Sequence, residues 1–217
     1  DQHLDVAAAK LKSKFGMEVK MSEPKIAYRE AIRKPVTIES KYKKQSGGHG
    51  QYGHVKIEFE PYDGDELMFC EKVFGGAVPK NFFPAVEEGL QEAAEHGSIG
   101  GFPVVRLKAT LIDGSYHPVD SSEMAFKTAA SMAFKDCMKE AQPYLLEPVD
   151  SLKILLPDDK QGDVMSVLSK RRGSVLGMNS VGGGMTELLA EAPEAELGDF
   201  ALTLRQITQG LGEFTSE

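Results

Sequence analysis

The sequence predicts an α+β protein of two domains, and three observations lead to this class. The chain has 217 residues, of which 41% are hydrophobic and 27% charged, so it is long enough for two compact units of ordinary globular composition. Its apolar residues change repeatedly between a period of two and a period near 3.6, as strands and helices do. Pro143 and Pro148 interrupt the pattern, and Glu147-Pro148 is the predicted linker.

The first predicted element is a helix at residues 4–15. Leu4, Leu11 and Phe15 recur near the helical period, and lysines occupy the opposite side. No serine or proline marks the start of this helix, so we expect it to be the end of an upstream domain.

A long β-hairpin is predicted next. Its strands, near residues 36–42 and 55–59, alternate apolar and polar side chains and flank a glycine-rich stretch. The following elements are expected to be a strand, a helix, a strand and a helix, at residues 67–73, 79–95, 104–111 and 124–141. Residues 113–118 form a predicted turn before the last of these helices, for which Asp120 or Ser121 is the expected N-cap.

The remaining segment is predicted to follow the order strand, helix, strand, strand, helix, strand. These elements are expected at residues 152–156, 162–170, 174–178, 186–190, 197–208 and near 212–215. The order βαββαβ indicates a ferredoxin-like domain, in which two helices cover one face of an antiparallel four-stranded sheet. Gly173 is the expected left-handed cap of the first helix in this segment.

Composition argues against several classes of function. The longest apolar runs, such as residues 188–190, are far below the roughly 20 residues that cross a bilayer, so no membrane association is expected. Cys70 and Cys137 lack CxxC spacing, which predicts neither a disulfide framework nor a zinc site and favours the cytoplasm. The net charge of −8 argues against broad affinity for nucleic acid.

Positive charge is nevertheless concentrated in one place. Residues 41–56 contain no acidic side chain, and Lys41, Lys43 and Lys44 precede a glycine-rich loop. Glycines permit positive φ and leave N–H groups accessible to phosphate oxygens. A glycine-rich turn is most often only a hairpin connection, so by itself this loop is a weak candidate for nucleic-acid binding.

Two separated motifs resemble domain IV of the elongation factor G family. The run KQSGGHGQYGHV at residues 44–55 resembles the loop that joins the first two strands of that domain. The runs DGSYH and VDSSEMAFK, on either side of Pro118, resemble its second tip loop and the helix that follows. Further matches are to the end of the third domain at residues 3–6, and to the fifth domain at residues 171–173, 203–205 and 208–210.

The resemblance covers essentially the whole chain and implies its organisation. Residues 1–20 would be the tail of domain III. Residues 21–148 would be domain IV, an α/β sandwich with a ribosomal-protein-like β-α-β fold, and residues 149–217 would be the ferredoxin-like domain V.

The same resemblance implies a role on the ribosome, as the C-terminal part of a translational GTPase that promotes the movement of tRNA and mRNA. Its partners would be the tRNA–mRNA duplex in the small-subunit decoding region and the stalk base of the large subunit. The phosphate-loop motif GxxxxGK[ST] does not occur in the chain, so GTP and Mg²⁺ are expected in another domain of the parent protein. No cofactor, metal or catalytic residue is expected in this chain, which should be monomeric and not itself an enzyme.

The residues expected to contact RNA lie in the two loops of the resemblance. They are Ser46, Gly47, Gly48, His49, Gly50, Gln51, Tyr52, Ser115, Tyr116, His117 and Pro118, with Lys41, Lys43 and Lys44 as supporting cations. In the last domain, Lys170, Arg171 and Arg172 are candidates for contact with ribosomal RNA. Cations at the end of a helix equally complement its dipole, so a structural role is an alternative for these three.

Four positions depart from residues that are usual in the family. His49 stands where arginine is common, and Pro118 stands where an acidic residue is common. Leu211 and Asp199 replace an arginine and a glycine. Because the first two changes remove a permanent cation and a backbone donor from the loops, they favour a divergent paralogue.

Three alternatives stay open. Within the family, the alternative is a factor for ribosome recycling or ribosomal protection. A protein-interaction scaffold without RNA contact would use exposed sheet edges. An enzyme would use His49, His54 and His117, with Asp113 or Asp120, as metal ligands or acid–base groups, but glycine-rich turns offer little support for such a site.

Overall fold

The computed structural model describes residues 2–19, 25–45 and 47–217. The expected contact residue Ser46 and the expected boundary between residues 20 and 21 lie outside these ranges. The first element is α1 (Gln2–Phe15), where the sequence predicts a helix. Across the described ranges, no helix combines the length and apolar character that a membrane span requires.

The next part of the chain folds into a sheet with two helices. Its elements are β1 (Arg29–Ile32), β2 (Val36–Lys44), β3 (Gln51–Pro61), β4 (Met68–Glu71), α2 (Phe83–Ala94), β5 (Leu107–Ser115), α3 (Glu123–Glu140) and β6 (Pro143–Leu146). Four of these strands form a sheet in the order β2-β3-β5-β4. The β4 strand is parallel to β5, and the other pairs are antiparallel.

One face of this sheet packs against α2 and α3. The alternation in β3 places Val55, Ile57 and Phe59 on that face, where all three are fully buried. The ring of Phe59 meets the ring of Phe134 on α3 edge to face, with centroids 6.5 Å apart. The intervening β3 residues are polar and point to the open face. This arrangement confirms the α/β sandwich, with the polar residues of β3 on the face away from α2 and α3.

A second, two-stranded sheet is formed by β1 and β6 and has no counterpart in the sequence prediction. Each strand has four residues, too few for a periodic signal. Glu30 on β1 is fully buried, and its carboxylate accepts hydrogen bonds from the N–H groups of Ile99 (3.1 Å), Gly100 (2.9 Å) and Phe102 (3.4 Å). No local sequence pattern indicated that a carboxylate would hold this loop.

Three local predictions in this region are wrong. Residues 113–115, predicted as part of a turn, are the end of β5, so the turn begins at Tyr116. The strand predicted from residue 104 begins at Leu107, after Arg106 with φ 55°. The N-cap of α3 is Ser122, rather than Asp120 or Ser121, because the Ser122 hydroxyl accepts the N–H of Ala125 at 3.1 Å.

The last part of the chain is the ferredoxin-like domain, as predicted. Its elements are β7 (Val149–Pro157), α4 (Gln161–Lys170), β8 (Ser174–Gly182), β9 (Met185–Pro193), α5 (Phe200–Ile207) and β10 (Glu213–Ser216). The strands are antiparallel in the order β10-β7-β9-β8, the order of a split βαβ unit. Ile154, Leu188 and Phe200 lie in its separate core. The left-handed residue after α4 is Arg172, with φ 58°, and not Gly173.

Candidate nucleic-acid interface

Two loops lie together at one end of the first sheet. The β2–β3 register pairs Lys44 with Gln51, so residues 45–50 connect these strands. β5 is antiparallel to β3 and ends at Ser115, so residues 116–121 leave the sheet at the same end. We call these two segments the tip loops. The sequence motifs predicted both of them, and the sheet topology brings them together.

Asp120 and Ser121 join one tip loop to the other. The carboxylate of Asp120 accepts the N–H of Gly50 at 3.1 Å, and its backbone carbonyl accepts the N–H of Tyr52 at 2.9 Å. The Ser121 hydroxyl donates to the Tyr52 carbonyl at 2.9 Å. A side chain at position 50 would bring its Cβ within 2.9 Å of the Asp120 carboxylate. A larger residue would therefore make the Asp120 carboxylate shift from the position in which it accepts the Gly50 N–H. These bonds make the two loops one unit.

His117 is held by its own loop. Its Nδ1 accepts the N–H groups of Asp120 at 3.1 Å and Val119 at 3.3 Å, and its backbone N–H donates to the Ser121 hydroxyl at 2.8 Å. Since Nδ1 is the acceptor, the neutral ring carries its proton on Nε2. The His117 side chain is 51% exposed, and its ring centroid is 6.4 Å from that of Tyr52. The loop thus presents an oriented imidazole donor.

A chain of side-chain hydrogen bonds crosses the sheet below the tip loops. The Tyr52 hydroxyl lies 2.6 Å from the Ser115 hydroxyl, and His54 Nδ1 lies 2.7 Å from the same oxygen. His54 Nε2 lies 2.7 Å from a carboxylate oxygen of Glu39, whose side chain is 60% exposed. This order of serine, histidine and carboxylate resembles a catalytic triad, but it lies on the open sheet face and joins three strands. It accounts for His54 as a structural residue.

Sequence reasoning did not identify Glu39, Asp120 or Ser121 as part of this arrangement. The alternation of β2 and β3 places Glu39 and His54 on one face, which was a usable signal. The hydrogen-bond partners depend on the strand register, which the alternation alone does not determine.

The glycine-rich tip loop is exposed and carries basic flanks. Gly47 and Gly48 have φ values of 50° and 144° and would meet nothing if they carried a Cβ, so these positions need glycine for conformation and not for space. Lys41 Nζ lies 5.9 Å from the centre of the Tyr52 ring. Considering only described residues, neither Lys41 nor its neighbours Lys43 and Lys44 come within 4.0 Å of a carboxylate. Their charge is available to an anionic partner.

Side-chain donors at the tip are fixed as well. The Tyr42 hydroxyl donates to the side-chain amide oxygen of Gln51, Oε1, at 2.9 Å. The NH₂ group of the same amide is left to face a partner. Tyr116, His117 and Pro118 are exposed in the other tip loop. The tip therefore offers N–H donors and cations together.

The basic run at the end of α4 is placed differently. Arg171 donates to Asp199 at 2.6 Å, to the Glu196 carbonyl at 2.6 Å and to the Thr203 hydroxyl at 3.0 Å. The bond from Arg171 holds the pKa of Asp199 below its usual range. Asp199 thus supplies a partner for Arg171, whose side chain is only 16% exposed.

Arg172 joins the last domain to the segment before it. Its guanidinium donates to both carboxylate oxygens of Glu147, at 2.5 and 3.0 Å, and to Glu196 at 3.2 Å. The bonds from Arg172 lower the pKa of Glu147. Both arginines of the run are engaged with carboxylates of the chain, whereas Lys170 is exposed at the helix end.

The described residues give no support to a metal or nucleophile site. No group of three or more His, Cys, Asp or Glu side chains converges among them. Both ring nitrogens of His54 have partners within the chain. Burial raises the pKa of the Cys137 thiol to about 12, so this cysteine is a core residue and not a reactive thiolate.

Comparison with known proteins gives two family matches. "Elongation factor G, domain IV" matches residues 24–142, and "Elongation factor G C-terminus" matches residues 144–217. An elongation factor G-like protein of Thermotoga maritima is 48% identical over 214 residues, which span 98% of this chain and 31% of that protein. A crystal structure of a Thermus thermophilus protein has a TM-score of 0.91 at 46% identity and covers 100% of this chain. The chain covers 32% of that structure, so it spans about a third of the length of both proteins.

Proposed function

Since this chain belongs to the elongation factor G family and carries its domain IV and its C-terminal domain, we propose that it is the part of a translation factor that reaches into the ribosome. In this proposal the tip loops contact the tRNA–mRNA duplex in the decoding region of the small subunit. The contact supports translocation, the movement of tRNA and mRNA together.

The observation that carries the proposal is the construction of the tip. Asp120 joins its tip loop to Gly50 in the other loop and to Tyr52 at the start of β3. This end of the sheet exposes Gln51 and His117 as hydrogen-bond donors beside a row of lysines. A short RNA duplex displays 2′-hydroxyls, phosphates and base edges across a wide and shallow minor groove. Donors and cations fit those acceptors at any sequence, and a factor that must move every codon needs recognition of this kind.

The parent protein supplies what this chain does not contain. We expect GTP and Mg²⁺ to bind a domain outside the 217 residues, because the phosphate-loop motif is absent from this sequence. Docking on the ribosome would stimulate GTP hydrolysis in that domain, and the tip would act on the tRNA–mRNA duplex after docking. The protein would work in the cytoplasm as a monomer.

Ribosome co-sedimentation across a salt series tests the proposal. The test variant replaces Lys41, Lys43 and Lys44 with glutamine. A control variant replaces Lys10, Lys14 and Lys135, which are exposed and lie on helices, so that both proteins change in charge equally. Each phosphate contact that is lost should lower the slope of log affinity against log salt by about 0.7–0.9.

We expect the test variant to bind more weakly and with a slope reduced by roughly 2, while the control keeps the slope of the unmodified chain. A test variant with the same slope as the control would show that the basic strand does not contact RNA.

A further inference from the structure

A third connection leaves the first sheet at the same end as the tip loops. β4 is parallel to β5, with Glu71 opposite Leu111, and the N–H of Lys72 continues the pairing by donating to the Leu111 carbonyl at 2.8 Å. The segment after β4 therefore emerges beside the segment after β5, which is a tip loop. We call residues 72–79 the Phe74 loop.

Both ends of the Phe74 loop are anchored to the domain. Val78 is buried, with its Cγ2 beside Gly114, one residue before the end of β5. Val73 packs against the core at the other end. Between these anchors the chain turns, and the N–H of Ala77 donates to the carbonyl of Phe74 at 3.3 Å. The loop is thus a fixed projection and not a loose connection.

Two consecutive glycines set the shape of the projection. Gly75 and Gly76 have φ values of 64° and 70°, the positive pair that a type I′ turn requires. Neither glycine would meet another atom within 4 Å if it carried a Cβ, so conformation and not packing requires them. The turn holds the residue that precedes it, Phe74, outside the fold.

Phe74 is the most exposed large apolar side chain among those described, at 92%. A ring exposed to this degree adds no packing to the fold, so Phe74 is accessible to a partner. The segment is basic along the sequence, because residues 72–86 contain two exposed lysines, Lys72 and Lys80, and no acidic residue in a chain of net charge −8. The carboxylate nearest in sequence is that of Glu71, which accepts the N–H of Val73 at 3.3 Å. An exposed ring beside cations is the arrangement with which proteins stack on unpaired bases.

We propose that the Phe74 loop is a third RNA-binding element of this end of the domain, in which the Phe74 ring stacks on an unpaired base of ribosome-bound RNA. This inference rests on the proposed function, because it assumes that this end of the domain meets RNA. It adds a contact by stacking, which is independent of the cations and donors of the tip loops.

The absence of tryptophan from the chain allows a direct test. In Phe74→Trp the new side chain is the only indole, and its fluorescence reports the surroundings of position 74. The control is Phe15→Trp, at a phenylalanine on α1 that is 68% exposed. Each variant is titrated with small ribosomal subunits that carry mRNA and tRNA, and the same titration of the unmodified chain, which has no tryptophan, is subtracted to remove the emission of the ribosomal proteins. In the difference we expect quenching and protection from acrylamide at position 74. The indole at position 15 should keep its emission.

A substitution series at position 74 separates stacking from simple apolar contact. Phe74→Ala should weaken subunit binding roughly tenfold, within the range measured for one base–aromatic stack. Phe74→Tyr and Phe74→Trp should bind like the unmodified chain, whereas Phe74→Leu should bind like the alanine variant, because leucine has no π face. Binding restored by leucine would indicate an apolar pocket on a ribosomal protein and would overturn the RNA assignment.

The lysine variant described above keeps the two proposals distinguishable. If neutralising Lys41, Lys43 and Lys44 weakens binding while Phe74→Ala does not, the tip function stands and the stacking proposal is wrong. If the unmodified chain does not bind the subunits, both proposals fail together. Reduced binding in both variants, with independent effects in the combined variant, is the expected result.

Discussion

Gly53→Ala is expected to push β3 and α3 apart. Because the tip loops lead into these two elements, they should be disturbed as well. The Cβ of alanine would lie 2.4 Å from the Ala125 carbonyl oxygen and 2.9 Å from the Phe126 nitrogen. Both contacts are to backbone in the first turn of α3, so no flexible side chain can move aside. The shorter contact is about 0.6 Å below the 3.0 Å that real Cβ atoms keep.

The cost can be estimated from this overlap. Overpacking of a rigid core costs about 1–3 kcal/mol, and a helix that must move as a body places Gly53→Ala near the upper end. The backbone of Gly53 has negative φ, which alanine also adopts. Alanine therefore lowers the conformational entropy of the unfolded chain, and this offsets the overpacking cost by about 0.4–1 kcal/mol. The net destabilisation is therefore about 2 kcal/mol, which is roughly a 30-fold change in the opening equilibrium.

Hydrogen exchange read by mass spectrometry measures this change, because it reports β3 and the last domain separately. The control is Gly177→Ala in β8, a strand glycine whose added Cβ would meet nothing within 4 Å. For Gly53→Ala we expect faster exchange in β3 and weaker ribosome binding. For the control Gly177→Ala we expect no loss of protection in β9, the strand next to β8. Protection of β3 equal to that of the unmodified chain would refute the close-approach argument.

Three further outcomes are expected from residues that the structure places in defined roles. In the full-length parent protein, His117→Ala should slow tRNA–mRNA movement in a rapid-kinetic assay while ribosome-stimulated GTP hydrolysis continues, because the tip acts after docking; equal losses in both would indicate a docking or folding defect. Glu30→Gln should destabilise the first domain by about 2–4 kcal/mol in urea unfolding, because an amide NH₂ would replace one of the two oxygens that accept these buried N–H groups. The exposed control Glu66→Gln should stay within about 0.5 kcal/mol. Arg172→Gln should lower the stability of the last domain at neutral pH only. The lowered pKa of Glu147 gives stability that is present above the ordinary carboxyl pKa of 4.5 and is lost as pH falls through the lowered value. A difference in stability from the unmodified chain that persists at pH values of about 2 would contradict this.

Much of the fold was predictable because its elements are long and periodic. β3 has eleven residues, and residues 55–60 alternate apolar and polar side chains without a break. The order of elements after residue 149 corresponds to one common topology. The β1–β6 sheet was not predictable, because its strands have four residues each and one of them begins with Pro143. Their stability comes from the buried Glu30 and from tertiary contacts, which no local pattern encodes.

The candidate site was predictable in its loops but not in its connections. The glycine-rich run and the second motif identified both tip loops, whereas the role of Asp120 as the link between them depends on a contact across 70 positions of sequence. The arginine run shows the opposite case. Arg171 and Arg172 had a suitable local sequence for RNA contact, but Glu147, Glu196 and Asp199 lie close enough in the fold to engage them.

Pro118 and His49 in the tip loops have different physical consequences. Pro118 lacks an N–H group, but the Nδ1 atom of His117 takes its hydrogen bonds from Val119 and Asp120, so the loop loses no bond that it uses. Proline also fixes φ in the residue that follows the imidazole, and this restricts the unbound loop. His49 is different, because it is exposed and no longer supplies a permanent charge. The lasting positive charge of the tip therefore lies on the β2 strand, and the affinity of the tip for RNA should depend on those lysines more than on the loop.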